Sequence, residues 1–462
     1  MKIVWDRRRL TRALLVGMAA LIALLLVPHS AVAAYHEIVL ATFCGGTGCT
    51  EGNGAGAGLF RDAQGNLYGT AAGGGTAGGG TVYELSPNAT ATGYTLKTLY
   101  NFCSLADCAD GETPLASLIM DDAGRLYGTT GYGGAGQVIA GGGGTVFQLA
   151  PNADRTVWTE TVLHSFCPEA GCLDGFNPSG SLLLDRAGNL YSTTYLGGSG
   201  PGDGYGGGTV FELSPNAQGT AWTEKILYSF CIQANCTDGM GPLANLIQDS
   251  DGNFYGTTGY GGSATSGTVF ELMPNKSGAT WTEKVLYSFC TDCGQHAVGP
   301  ISGLITDAAG NLYGTSAGGG NTIGGGLVFE LTPDATRTHW TETTLHTFCS
   351  QTYCIDGDRP AAALVMDATG NLFGTTFSGG VNGGYPNDGG GGGGTVFELT
   401  PNAAHTAWTE TVIHSFCEEY YCSDGNTLVS TLVIDRLGNL YGTTTASHTQ
   451  PGGTVFEFEH VP

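Results

Sequence analysis

Short runs of apolar and β-branched residues, broken by Gly, Pro and Asn, recur from residue 35 to residue 458. One stretch shows the pattern. Leu182-Leu183-Leu184-Asp185 enters a turn at Arg186-Ala187-Gly188, and Asn189-Leu190-Tyr191 leaves it. Gly208 to Leu213 forms a third segment and Trp222 to Phe230 a fourth, with a turn at Pro215-Asn216 between them. Val, Thr, Phe and Tyr fit a pleated surface, and the bounding residues start turns. The pattern predicts four strands per unit, called A, B, C and D in chain order.

The unit is copied seven times. Its marker is Phe-Cys, at Phe43-Cys44, Phe102-Cys103, Phe166-Cys167, Phe230-Cys231, Phe289-Cys290, Phe348-Cys349 and Phe416-Cys417. The intervals are 59, 64, 64, 59, 59 and 68 residues. A period of that length with four strands predicts the blades of a propeller. The expected fold is all-β, a seven-bladed β-propeller of four-stranded blades. Residues 35–40 read as a lone D strand and residues 453–458 as a lone C strand. The N-terminal strand should therefore complete the C-terminal blade and close the ring, which removes an exposed edge.

Spacing separates scaffold from variable surface. The D-strand opener (Tyr35, Tyr94, Trp158, Trp222, Trp281, Trp340, Trp408) stands nine residues before the first cysteine in every copy. From the turn aspartate to the strand-C aromatic the count runs 21, 26, 26, 21, 22, 30 and 21. Nearly all length variation thus falls in the B–C loop. In a propeller that loop shares a face with the D–A loop, which here carries the cysteines. Function usually sits on variable loops over a rigid scaffold.

Composition adds an address and removes some partners. Lys2, Arg7, Arg8, Arg9 and Arg12 precede an uncharged run from Ala13 to Val27, then Pro28 and Ala31-Val32-Ala33. Residues 1–33 read as a secretory signal peptide, leaving residues 34–462 as a single propeller domain. No membrane span is expected after cleavage. Removing residues 1–33 deletes five positive charges and one negative, which takes the net charge from −24 to −28. Such an acidic chain repels phosphates, so nucleic acid is excluded as a partner. The 79 glycines show no collagen period and concentrate at turns and in the B–C loops. These loops read as flexible, because no Lys-Ser/Thr or helix follows them to make a phosphate site.

The fourteen cysteines fall in pairs: Cys44/Cys49, Cys103/Cys108, Cys167/Cys172, Cys231/Cys236, Cys290/Cys293, Cys349/Cys354 and Cys417/Cys422. In an exported protein this spacing reads as seven local disulfides, favoured over zinc sites built between neighbouring loops and over a redox role for Cys290/Cys293. The turn aspartates Asp62, Asp121, Asp185, Asp249, Asp307, Asp367 and Asp435 invite a calcium reading, best at Asp249-Ser250-Asp251-Gly252-Asn253. Capping of turn amides explains them more simply. Asp110, Asp174, Asp238, Asp356 and Asp424 follow the cysteines, on the variable face, and are candidates for ligand binding or Asp-Gly turns. Tyr132, Tyr195, Tyr205, Tyr260, Phe377 and Tyr385 lie in the B–C loops and could stack on sugars. His164, His346 and His414 exchange with Tyr100, Tyr228 and Tyr287 across the copies, which suits packing or hydrogen bonding better than catalysis.

The phrases Gly-Asn-Leu-Tyr-Gly-Thr-Thr and Gly-Thr-Val-Phe-Glu-Leu-Thr/Ser-Pro, followed by Trp-Thr-Glu and Leu-His/Tyr-Ser-Phe-Cys, resemble the bacterial GloVer (Gloeo/Verruco) tandem-repeat family over residues 35–458. The resemblance implies an exported bacterial protein of unknown biochemical function, whose relatives carry differing C-terminal anchors. Past the last strand-C segment the pattern leads to no expectation of a sorting tail. The Asp-x-x-Gly-Asn-Leu-Tyr turn is also similar to that of NHL-like propellers, which mostly bind partners.

No catalytic constellation is found: there is no nucleophile elbow, no HExxH and no specific acid/base pair. The expected function is an exported, monomeric binding module for a glycan or surface protein, secreted, periplasmic or at the cell surface, with no cofactor beyond the calcium considered above. The alternatives are an extracellular polysaccharide-active hydrolase or lyase using loop carboxylates, and a purely structural surface protein.

Overall fold

Each unit folds into one antiparallel sheet with its strands in the order A-B-C-D. In the second blade these are Ile119–Met120, Leu126–Thr130, Thr145–Pro151 and Trp158–Ser165. The computed structural model describes residues 34–461, except 45–47, 89–92, 136–140, 202–205, 277, 291–298, 321–323, 382–391, 418–421 and 447–451. The expected signal peptide, Tyr205, Tyr385 and Cys293 lie outside the described residues. Seven sheets form the ring. Ala34–Thr42 pairs antiparallel with Thr454–Val461, setting Tyr35 opposite His460 and Thr42 opposite Thr454. This completes the blade of Val433–Ile434 and Leu440–Thr443, so the ring closes as its ends predict.

The core lies between blades, not within them. Tyr68, Val82, Leu99 and Phe102 of the first blade pack with Leu118, Leu126, Phe147, Leu149 and Trp158 of the second. The same arrangement joins the last blade to the first, through Tyr441, Val455 and Phe43 against Leu59, Leu67 and Tyr83. The D-strand openers serve this packing as expected, with Trp158 6.4 Å from Tyr68 and Trp222 6.4 Å from Tyr127. The glycine of Leu-Tyr-Gly-Thr-Thr is explained by the ring above it. A Cβ on Gly128 would lie 2.6 Å from Phe147 Cζ and 2.8 Å from Leu118 Cδ2. Strand B must be bare there for the strand-C aromatic to lie flat.

Strand A departs from expectation. Only two residues pair with strand B in most blades, because the preceding residues leave the sheet and line the ring's axis. The chain meets strand B again towards the loop face, where Glu112 bridges Tyr132 and Met240 bridges Tyr260. In the third blade this outer half is a strand, Phe176–Pro178, paired with Leu190–Leu196. The interrupting residues are small, as at Ala116, Gly180 and Ala244, so seven chains can converge. Threonines from strand B tie the blades at this level. Thr70 Oγ1 donates to the Ala116 carbonyl at 3.3 Å, Thr193 to Ala244 at 3.1 Å, and Thr315 to Ala362 at 3.0 Å.

Candidate functional site

The variable B–C loops and the cysteine loops share one face and are built into each other. The amides of Gly75, Gly134 and Gly262 donate to the carbonyls of Cys49, Cys108 and Cys236 at 2.9 Å. A Cβ on Gly79 would lie 2.5 Å from Cys103 Cβ, so the returning end of the B–C loop needs glycine to pass under the next cysteine loop. The described ends of these loops are therefore wedged, whereas the sequence pattern suggests flexible loops.

Six local disulfides are present: Cys44–Cys49, Cys103–Cys108, Cys167–Cys172, Cys231–Cys236, Cys349–Cys354 and Cys417–Cys422. The expected Cys290/Cys293 pair includes Cys293, outside the described residues. Every one of these bridged cysteines has φ between 45° and 68°. A non-glycine residue in that left-handed region costs roughly 1–2 kcal/mol. Each bridge holds a strained hairpin that an open chain would leave.

The loop aspartates sit inside these hairpins. Asp110, Asp238 and Asp356 are 0% exposed and Asp424 is 4% exposed; Asp174 is half-buried. Asp110 accepts from the Ser104 amide at 2.9 Å, Ser104 Oγ at 2.8 Å, the Leu105 amide at 3.2 Å and Tyr100 Oη at 2.9 Å. Burial works against its charge, but those donors hold the carboxyl below its usual range. Asp238, Asp356, Asp174 and Asp424 accept loop amides in the same way. Their first visible role is to organise the hairpin.

The turn aspartates lie on the opposite face. Asp249 Oδ1 accepts the amides of Asp251 and Asn253, and Oδ2 accepts Asn253 Nδ2 and Tyr255 Oη. Asp185 and Asp307 are engaged likewise. Protein donors thus occupy both oxygens at the sites considered for calcium.

A cluster that sequence reasoning missed runs between blades, beside five of the cysteine loops. The Glu of Trp-Thr-Glu faces the loop Asp and the His or Tyr of the preceding blade. Burial pushes Glu160 up to about 7, helped by Asp110. Burial also raises Glu283 to about 8, with Asp238 adding to it, and Glu410 to about 7, with Asp356 adding to it. Glu224 rises to about 7 through burial, against His164 and with Asp174. The seventh junction abandons the polar set: Ala41 and Leu96 replace the His/Tyr and the Glu, and pack together in an apolar cluster. That joint replacement of two positions was the available signal. At the junction of the sixth and seventh blades, Glu37, His414 and Asp424 bring three donor atoms within 4.8 Å of one another.

Leu115, Leu243, Ile301 and Val429 line the axial opening together with Ser117, Ser181, Asn245 and Thr431. Tyr195 and Tyr260, from adjacent blades, meet over Gly241. A Cβ there would lie 2.9 Å from Tyr195 Cε2 and 3.3 Å from Tyr260 Cδ2. Burial raises the Tyr195 hydroxyl, and the facing Tyr260 adds to it. Tyr132 and Tyr260 are each 45% exposed. Phe377 does not join them: it lies under the Arg359 guanidinium of its own blade, 5.6 Å from the ring centre.

The molecule is thus a closed seven-bladed β-propeller with a disulfide-braced loop face. Six bridged cysteine pairs fit a protein folded outside the reducing cytoplasm. The chain belongs to the Gloeobacter/Verrucomicrobia repeat family, which matches residues 33–247, 139–296 and 245–461. No curated protein matches the sequence. Among solved structures it is similar to an ulvan lyase of a polysaccharide-lyase family, at 11% identity and TM-score 0.48, covering 91% of this chain and 95% of that one. It is also similar to a luciferin-regenerating enzyme, at 12% identity and TM-score 0.41, covering 93% and 96%. A third is PorZ, a surface component of the type-IX secretion system of Porphyromonas gingivalis, at 15% identity and TM-score 0.40, covering 84% and 46%. Among the described residues no helix is long and apolar enough to cross a membrane.

Proposed function

We propose that the protein is an exported binding module whose loop face takes a neutral glycan, with Tyr195 and Tyr260 as the stacking platform. The observation that carries this reading is the meeting of those two rings across neighbouring blades, with Tyr260 45% exposed. An aromatic face packs against the apolar C–H face of a sugar, and nearby backbone and hydroxyl groups orient it. The charge of the chain disfavours an acidic polysaccharide. Burial of Asp110, Asp238, Asp356 and Asp424 supports binding over hydrolysis, because a general acid or base must reach its substrate.

A glycan array, run with and without calcium, tests the proposal. Binding should occur to neutral glycans. Tyr195→Ala with Tyr260→Ala should weaken it at least about tenfold, equivalent to about 1.4 kcal/mol. Glycan binding indifferent to both replacements, or no binding across the array, contradicts the reading. Turnover of any bound polysaccharide would move it towards an enzyme.

A further inference from the structure

His414 Nε2 lies 3.5 Å from Glu37 Oε2 and 3.4 Å from Asp424 Oδ2. Three separate elements bring these atoms together: the N-terminal strand Ala34–Thr42, the outer strand Trp408–Ser415 and the loop after Cys417. Both distances are long for hydrogen bonds, whose N···O separation centres near about 2.9–3.0 Å. One imidazole N–H also cannot make straight hydrogen bonds to two carboxylates at once and can only be shared between them. The two separations from His414 are close to the edge of a coordination tetrahedron, the third pair lies within 4.8 Å, and Asp424 Oδ2 keeps a lone pair beside the Cys417 amide that it accepts at 2.8 Å. Zinc bonds of about 2.0–2.1 Å to imidazole nitrogen or carboxylate oxygen place neighbouring ligand atoms about 3.4 Å apart.

The tyrosine-bearing junctions differ in this respect. Tyr100 Oη and Tyr228 Oη each reach their aspartate at 2.9 Å, an ordinary hydrogen bond. The other histidines stand 3.4 Å (His164 to Asp174) and 4.0 Å (His346 to Asp356) away. Among the described residues, though, only the Glu37 junction gathers three donors this closely. The His414 ring is also fixed in place, 4.7 Å from Phe416 and 5.2 Å from Phe458.

We propose that Glu37, His414 and Asp424 form a binding site for a divalent transition-metal ion of the zinc class. Two carboxylates and a neutral imidazole balance its charge, and water completes the tetrahedron. The ion bridges the N-terminal strand to the sixth blade and its cysteine loop. It therefore reinforces the joint where the two ends of the chain meet.

The test uses the full exported chain, stripped with EDTA and titrated with Zn²⁺ by calorimetry and with Co²⁺ by visible absorption. One Zn²⁺ should bind per chain, raise the melting temperature, and be replaced by Co²⁺ with the intense bands of four-coordinate geometry. His414→Tyr installs the residue that stands at positions 100, 228 and 287, and so should fold. It should lose at least about a hundredfold in affinity, since even changes behind the ligands cost ten- to a hundredfold. Glu37→Gln provides a second ligand variant. His164→Tyr and His346→Tyr should bind like the parent. No stoichiometric uptake by the parent, or unchanged affinity in folded His414→Tyr, overturns the proposal.

Discussion

Thr443 Oγ1 donates a hydrogen bond to the carbonyl oxygen of Ala57 at 2.9 Å, across 386 residues of sequence. The same bond joins consecutive blades elsewhere, as from Thr257 to Ser302 at 3.0 Å and from Thr375 to Ser430 at 3.2 Å. Ring closure therefore needs no special device at this level. The last blade meets the first through the contact that the other repeats carry, the second blade's Thr129 excepted.

Thr443→Val should test how much that contact contributes. It removes a buried donor and leaves the Ala57 carbonyl without it, which costs about 1–3 kcal/mol. Thr129→Val is the internal control. Thr129 Oγ1 is buried with no hydrogen-bond partner, and in its place Ser192 Oγ donates to the Gly180 carbonyl at 2.9 Å. That substitution should be neutral or mildly stabilising. Equal losses in urea unfolding for the two variants would show that the bond is not the source of the effect.

Gly256→Ala should destabilise the fourth blade. The new Cβ would lie 2.6 Å from Phe270 Cζ and 3.0 Å from Leu246 Cδ2, both fully packed. Overpacking of this kind costs about 1–3 kcal/mol. Phe270→Leu in the same chain should recover part of the loss by opening space. A double variant no more stable than additive loss predicts would place the strain elsewhere.

The ring, its seven blades and its closure were legible because hydrophobic burial and turn chemistry repeat with the chain. Phe-Cys and Leu-Tyr-Gly-Thr-Thr occupy the same sites in the fold, so spacing alone located the variable loops. Two things were not legible. Ala116 and Gly180 look like weak strand residues, and only the convergence of seven chains explains their size. Glu160 and Glu283 each follow Trp-Thr in an outer strand, where the residues beside them are polar. Their burial depends on the neighbouring blade, a relationship that local pattern does not encode. The loop aspartates read as surface groups for the same reason: the sequence shows Asp-Gly, not the hairpin that folds over Asp110.

Asp110→Asn should loosen its hairpin while leaving the ring intact. Three of the four donors that surround it come from Ser104 and Leu105, so an amide group would set an N–H against N–H and O–H donors. Loss of charge-assisted hydrogen bonds costs about 1.5–3 kcal/mol each at most, and local relaxation will lower the total. Hydrogen exchange at residues 103–110 should accelerate well before the global melting temperature falls. Unchanged exchange there would deny the aspartate its organising role.

The half-buried glutamates between blades make stability depend on pH in a defined direction. Burial comes first in raising Glu160, Glu224 and Glu410 from 4.5 to about 7 and Glu283 to about 8. A raised acid pKa means that the folded chain binds its proton more tightly than the unfolded chain. That contribution is fully present below about pH 4.5 and is lost as pH rises through 7 to 8. Two groups pull the other way. Burial lowers His346, partly offset by Asp356, so protonating it costs stability below its usual range. Asp110 is held low by its donors and loses their benefit only in stronger acid. The melting temperature should therefore peak in mild acid and decline towards about pH 8.5, at constant ionic strength. Glu283→Gln fixes the neutral form, and should flatten the alkaline side of the curve. A melting temperature that stays level or climbs between about pH 5.5 and 8.5 in the parent chain would refute this account of the junctions.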